Sequence, residues 1–148
     1  MLVETLKLLF RRDLERLKQE IDSYQEEAKI WCVEEGIANS AGNLCLHLVG
    51  NLNTYIGAEL GKTGYVRQRE LEFSQKGISK AELLAAVEDT IAIIDKALDI
   101  VTSEQLAQQY PILVFQEMTS TEYLLVHLTT HLTYHLGQIN YHRRLLDT

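Results

Sequence analysis

Apolar residues recur along this chain at steps of three and four, and that period argues for helices throughout. Over residues 2–30 and just beyond, Leu6, Phe10, Leu14, Leu17, Ile21, Tyr24, Ala28 and Trp31 keep the step, with arginines and lysines between them. The spacing predicts one long amphipathic helix that stops near Glu34–Glu35–Gly36. A second helix is expected to open at Asn39 or Ser40, both good caps. Its broad face carries Leu44, His47, Leu48, Asn51, Leu52 and Tyr55, and Gly61 stands where helices commonly stop. Ser79–Lys80–Ala81–Glu82 has the form of a capping box. It opens a third helix bearing Leu83, Leu84, Val87, Ile91, Ile94, Leu98 and Val101. Thr119–Ser120–Thr121–Glu122 repeats the signature ahead of a final helix that reaches Leu146.

The connections are less regular. Residues 61–78 form the longest stretch without a period, and loops of that length often carry function. Arg67 and Arg69 alternate there with Glu70 and Glu72, for which local ion pairing in solvent is the simple expectation. Residues 103–118 hold the single proline, Pro111, before the apolar run Ile112–Phe115. A short extended connection fits it, too brief and isolated for a sheet. The expected architecture is all-α, a four-helix bundle with a long connection between its second and third helices. One domain over residues 1–148 is the simplest organisation.

Composition narrows the function classes. The net charge of −7 repels phosphate backbones and disfavours a nucleic-acid-binding role. Arg143 and Arg144 fall at a helix C-terminus, where positive charge complements the dipole. No apolar run approaches the roughly 18 residues that span a bilayer. Two cysteines, Cys32 and Cys45, make no disulfide framework, and the charged N-terminal segment does not resemble a signal peptide. A cytoplasmic protein is expected.

The chemistry concentrates in histidine. The chain has five, and four lie between 127 and 142 in the run HLTTHLTYHLGQINYH. Steps of four stack His127, His131 and His135 in a slowly turning stripe on one helix face. Neighbouring members can share a metal ion, as two histidines do in the helical HExxH motif. The outer two are about 12 Å apart along the axis, so at most two of the three serve one ion. The remaining histidine, His47, sits mid-helix between Leu44 and Leu48. Packing of the second helix beside the last would bring it to the pair. Three histidines with an open fourth position describe a catalytic type of site rather than a closed structural one. HExxH protease chemistry is disfavoured, because Leu132 stands where the glutamate belongs. No general base stands out. Cys45, at helical spacing, reads as packing.

The run His127-LTT-His131-LTY-His135-L-Gly137-Gln138-Ile139 and the block LHLVGNLNTYIGAEL around His47 resemble the DinB-like superfamily, also called the DinB/YfiT-like metalloenzyme fold. Arg67, Arg69, Glu72 and Phe73 match the R-x-R-x-x-E-F of an uncharacterised subfamily, and the likeness covers most of the chain in order. It implies a four-helix bundle whose metal ligands are His47, His131 and His135. His127 then becomes a neighbour of the site. Asn51 and Gln138, each one turn from a ligand, are candidates to orient an imidazole. Many members carry arginine before the GQ pair, and Leu136 stands here instead. Neutral imidazole ligation leads to the expectation of a divalent ion, with zinc or nickel ahead of iron, and the likeness implies a homodimer. By fold-level analogy the activity is a metal-dependent transfer acting with a small-molecule thiol. The alternatives are a non-catalytic, stress-associated metal-binding bundle and a metal-dependent hydrolase.

Overall fold

The computed structural model describes residues 1–148 as helices joined by short connections, with no strand. Four long helical segments surround one apolar core. They are α1 (Leu2–Asp22), α2 (Ala41–Leu52) continued by a π turn (Asn53–Ala58), α4 (Lys80–Asp99) and α6 (Thr121–Leu146). Two short helices, α3 (Arg69–Ser74) and α5 (Ser103–Ala107), lie in the connections. Helix α1 packs on α4 and α6, and α2 packs on the same two helices. That arrangement sets α2 beside α6, as the placement of His47 requires. Leu6, Phe10, Leu14, Leu17 and Ile21 of α1 meet Leu48 and Leu52 of α2 and Leu128 and Leu132 of α6 in one continuous cluster. Truncating such a leucine to alanine typically costs about 2–5 kcal/mol.

The first helix is shorter than its apolar period predicts. It ends at Asp22, where the Ser23 hydroxyl donates to the Gln19 carbonyl at 2.6 Å. The Asp147 carboxylate then accepts from the backbone N–H groups of Gln25 (2.7 Å) and Glu26 (3.2 Å). Tyr24 turns into the core, where its hydroxyl meets His142 Nδ1 at 2.6 Å. Only a 3-10 turn, Glu27–Trp31, follows, and Ala28 is exposed. A tertiary contact with the C-terminus therefore overrides the local period.

The predicted caps hold with one shift. Ser40 caps α2 by accepting from Asn43 N, and Ser79 with Glu82 forms the full capping box of α4. The cap of α6 is Ser120, not Thr119; its hydroxyl accepts from Tyr123 N. Thr119 is already engaged: its carbonyl accepts from Tyr110 N at 2.8 Å beside the isolated bridge Gln109–Ser120. Gly61 does not supply the left-handed turn expected of a helix stop. Lys62 does, with φ 55°. A Cβ on Gly61 would lie 2.9 Å from the Ala97 Cβ, so this glycine lets the end of α2 approach α4.

Candidate metal centre

The site is built where α2 faces α6, with the α2–α4 connection folded over it. His47 projects from the middle of α2, and His131 and His135 from successive turns of α6. His131 Nε2 lies 3.3 Å from His47 Nε2 and 3.2 Å from His135 Nε2. All three candidate ligand atoms fall within 4.8 Å of one another. His127 is not among them. Its ring stacks on His131 at 6.3 Å and meets Phe115 edge-on at 4.7 Å.

Hydrogen bonds at the outer nitrogens decide what the inner ones offer. His47 Nδ1–H donates to Glu72 Oε1 at 3.0 Å, and His135 Nδ1–H donates to Gln138 Oε1 at 2.7 Å. A proton on each Nδ1 leaves each Nε2 as a lone pair pointing inward. A single proton on His131 Nε2 can satisfy only one of these neighbours. Two nitrogens on zinc, each at about 2.0–2.1 Å with tetrahedral angles, would stand about 3.3–3.4 Å apart. The spacings of 3.2 and 3.3 Å fit a shared cation.

Electrostatics favour the neutral, ligating form. Burial pushes His131 down to about 4, assisted by the like charges that His135 and His47 would carry. Burial also lowers His47, against the opposing pull of Glu72. His131 Nδ1 is buried and has no hydrogen-bond partner, so this ring alone lacks an orienting group.

Glu72 is the functional residue that sequence reasoning misplaced. The arginine–glutamate alternation suggested pairing in solvent, yet Glu72 is 6 % exposed. Arg67 grips its carboxylate through Nε at 2.9 Å and Nη2 at 3.0 Å. Three features of α2 and α3 place it there. Helix α3 starts just after Arg67. The fully buried Asn43 amide donates to the carbonyls of Glu72 (2.9 Å) and Gln75 (2.8 Å). Gly50 supplies the space, since a Cβ there would fall 1.8 Å from Glu72 Oε2. The R-x-R-x-x-E-F resemblance was the only sequence signal for this role.

The remaining candidates divide. Gln138 Oε1 lies 2.7 Å from His135 Nδ1. Asn51 makes no hydrogen bond to any of the three imidazoles; it is buried, and its Oδ1 has no partner. Cys45 is wholly buried and its thiol is pushed up to about 12, so it is packing. His142 is held between the Tyr24 hydroxyl and the Cys32 carbonyl, away from the trio. Arg143 reaches Glu20 on α1 at 2.8 Å, a tie between helices beyond its dipole role. No helix is long and apolar enough to cross a membrane.

An all-α protein with a three-histidine cluster able to hold a metal ion is the class that fold and site define. The chain belongs to the family described as Protein of unknown function (DUF1572), which it matches over residues 2–148. No curated protein matches the sequence.

Proposed function

We propose that this protein is a metal-dependent enzyme of the DinB/YfiT-like kind that transfers a group to or from a small thiol. The observation that carries the proposal is the convergence of three histidine Nε2 atoms, with that of His131 3.3 and 3.2 Å from those of His47 and His135. DUF1572 belongs to the DinB/YfiT-like clan, which agrees with the resemblance in the histidine run. His47, His131 and His135 would hold one divalent ion. Zinc or nickel suits neutral imidazole best, and ferrous iron is also accepted. Such an ion supplies positive charge that favours loss of a thiol proton near neutral pH.

The chain's own residues do the positioning. Glu72 and Gln138 fix two rings in the tautomer that aims Nε2 at the ion. Arg67 neutralises Glu72 and keeps it from competing as a ligand. In the transfer, the thiol loses its proton to solvent water and its sulfur bonds to the electrophilic carbon of a second substrate. The bond from that carbon to its leaving group breaks, and the leaving group departs with the electron pair. Two hollows border the trio, of about 300 Å³ beside His47 and His131 and about 400 Å³ beside His135. Room for two reactants favours transfer over hydrolysis, and no carboxylate is placed to activate water. The working form is a homodimer in this reading, supported by the exposed Tyr134, Tyr141 and Leu145 along α6.

Assay of tag-free, zinc-loaded protein with low-molecular-weight thiols and an alkylating electrophile tests the function. We expect thiol consumption above the spontaneous rate, lost on chelation and restored by the metal. Metal-loaded protein that accelerates no thiol transfer would leave the non-catalytic metal-binding reading.

A further inference from the structure

We infer that Asn51 is the positioning residue of the third imidazole: its Oδ1 accepts the Nδ1–H of His131 when that ring ligates an ion through Nε2. The inference rests on the metal reading of the trio and not on the thiol chemistry. Each candidate ligand then has one partner of its own, as Glu72 already serves His47 and Gln138 serves His135.

A neutral imidazole carries one proton, on one of its two ring nitrogens. The nitrogen of His131 that faces the other two rings is Nε2, 3.3 Å from that of His47 and 3.2 Å from that of His135. An ion shared with them takes the Nε2 lone pair, so the proton of His131 stands on Nδ1. That N–H is closed to solvent and has no acceptor within reach of a hydrogen bond. A buried donor left unpaired opposes the state that creates it, which here is the ligating one.

Asn51 Oδ1 is the complementary orphan. It is equally closed to solvent, and no group donates to it. Asn51 follows His47 by four residues on α2, about 6 Å along the axis, and α2 packs against α6. Asn51 and His131 line the walls of one hollow, and the other polar side chains there do not fit the acceptor role. Arg67 and Arg69 only donate. His127 stacks on His131 with the rings 27° apart, and a stacked ring directs its in-plane lone pairs past its neighbour. Tyr55 lies a turn further along, its ring against the Arg67 guanidinium. Rotation of the Asn51 amide about its last torsion, which is soft, or one enclosed water closes the contact.

Zinc binding and nitrogen-15 NMR of tag-free protein test this. The variants are Asn51→Leu and the smaller Asn51→Ala, which remove the acceptor, and Asn51→Asp, which keeps it; a cooperative metal-free melt shows which are folded. In competition with a chromophoric chelator, the leucine and alanine variants should bind zinc about 10–100-fold more weakly than wild type. Asn51→Asp should bind at least as tightly as wild type. In zinc-loaded, histidine-labelled protein, the His131 Nδ1–H resonance should lie at a hydrogen-bonded shift. It should move upfield in Asn51→Leu and Asn51→Ala while those of His47 and His135 stay in place. Zinc held as tightly without the acceptor, or a His131 Nδ1–H that ignores the substitution, would overturn the assignment and leave the metal reading standing. Wild-type protein that takes up no zinc would remove both.

Discussion

Gly50 shows how one missing methyl group shapes the site. It lies within α2, where glycine costs roughly 1 kcal/mol relative to alanine. Its absent side chain is the space that the Glu72 carboxylate fills against His47. Gly50→Ala should therefore favour the helix while displacing Glu72. Losing such an orienting partner typically weakens metal binding about 10–100-fold. Competition against a chromophoric chelator measures it; unchanged zinc affinity would show that Glu72 does not orient His47. At this scale the sequence was partly legible. His131 and His135 announce themselves by helical spacing, and His47 by being the one other histidine on an apolar face. Glu72 does not, because its neighbours are charged and exposed. Its burial depends on Arg67, Asn43 and Gly50 acting together across the α2–α3 contact, and no local period encodes that.

At the scale of elements, periodicity located every long helix, and the errors fall where tertiary contacts decide an end. Helix α1 stops early because Asp147 captures the next backbone donors and Tyr24 is drawn to His142. Helix α6 starts at Ser120 because Thr119 belongs to a backbone pair with Tyr110. The end of α2 is more informative still. Its π turn is tied to α4 by the Asn53 amide, which donates to Thr90 Oγ1 at 2.9 Å, and Gly61 allows the close approach to Ala97. Gly61→Ala should destabilise the fold by about 1–3 kcal/mol, as overpacking does in a tight contact. Urea unfolding measures the loss. A more stable variant would mean that Gly61 is only a helix terminus.

For the whole molecule, burying imidazoles ties stability to pH. His131 has an ordinary value of 6.5 and a folded value of about 4. Between these the unfolded chain binds more protons, so stability rises with pH across that window. The contribution is complete above 6.5 and is lost as pH falls toward 4; the lowered value of His47 acts in the same direction. Metal-free protein should melt at progressively lower temperature over that range, with a shallower trend in His131→Ala; identical slopes would contradict the assignment. A bound ion should counter the loss near neutrality, since ligand at 1,000 times its Kd adds about 4 kcal/mol. In the proposed site, α2 and α6 together hold one cation. Zinc titration of tag-free, chelator-treated protein, read by equilibrium dialysis with elemental analysis, tests it most directly. One equivalent should bind per chain, lost in His47→Ala, His131→Ala and His135→Ala but kept in His127→Ala. Folded wild-type protein that takes up no zinc, nickel or iron, or a His47→Ala protein that binds as well as wild type, would contradict it.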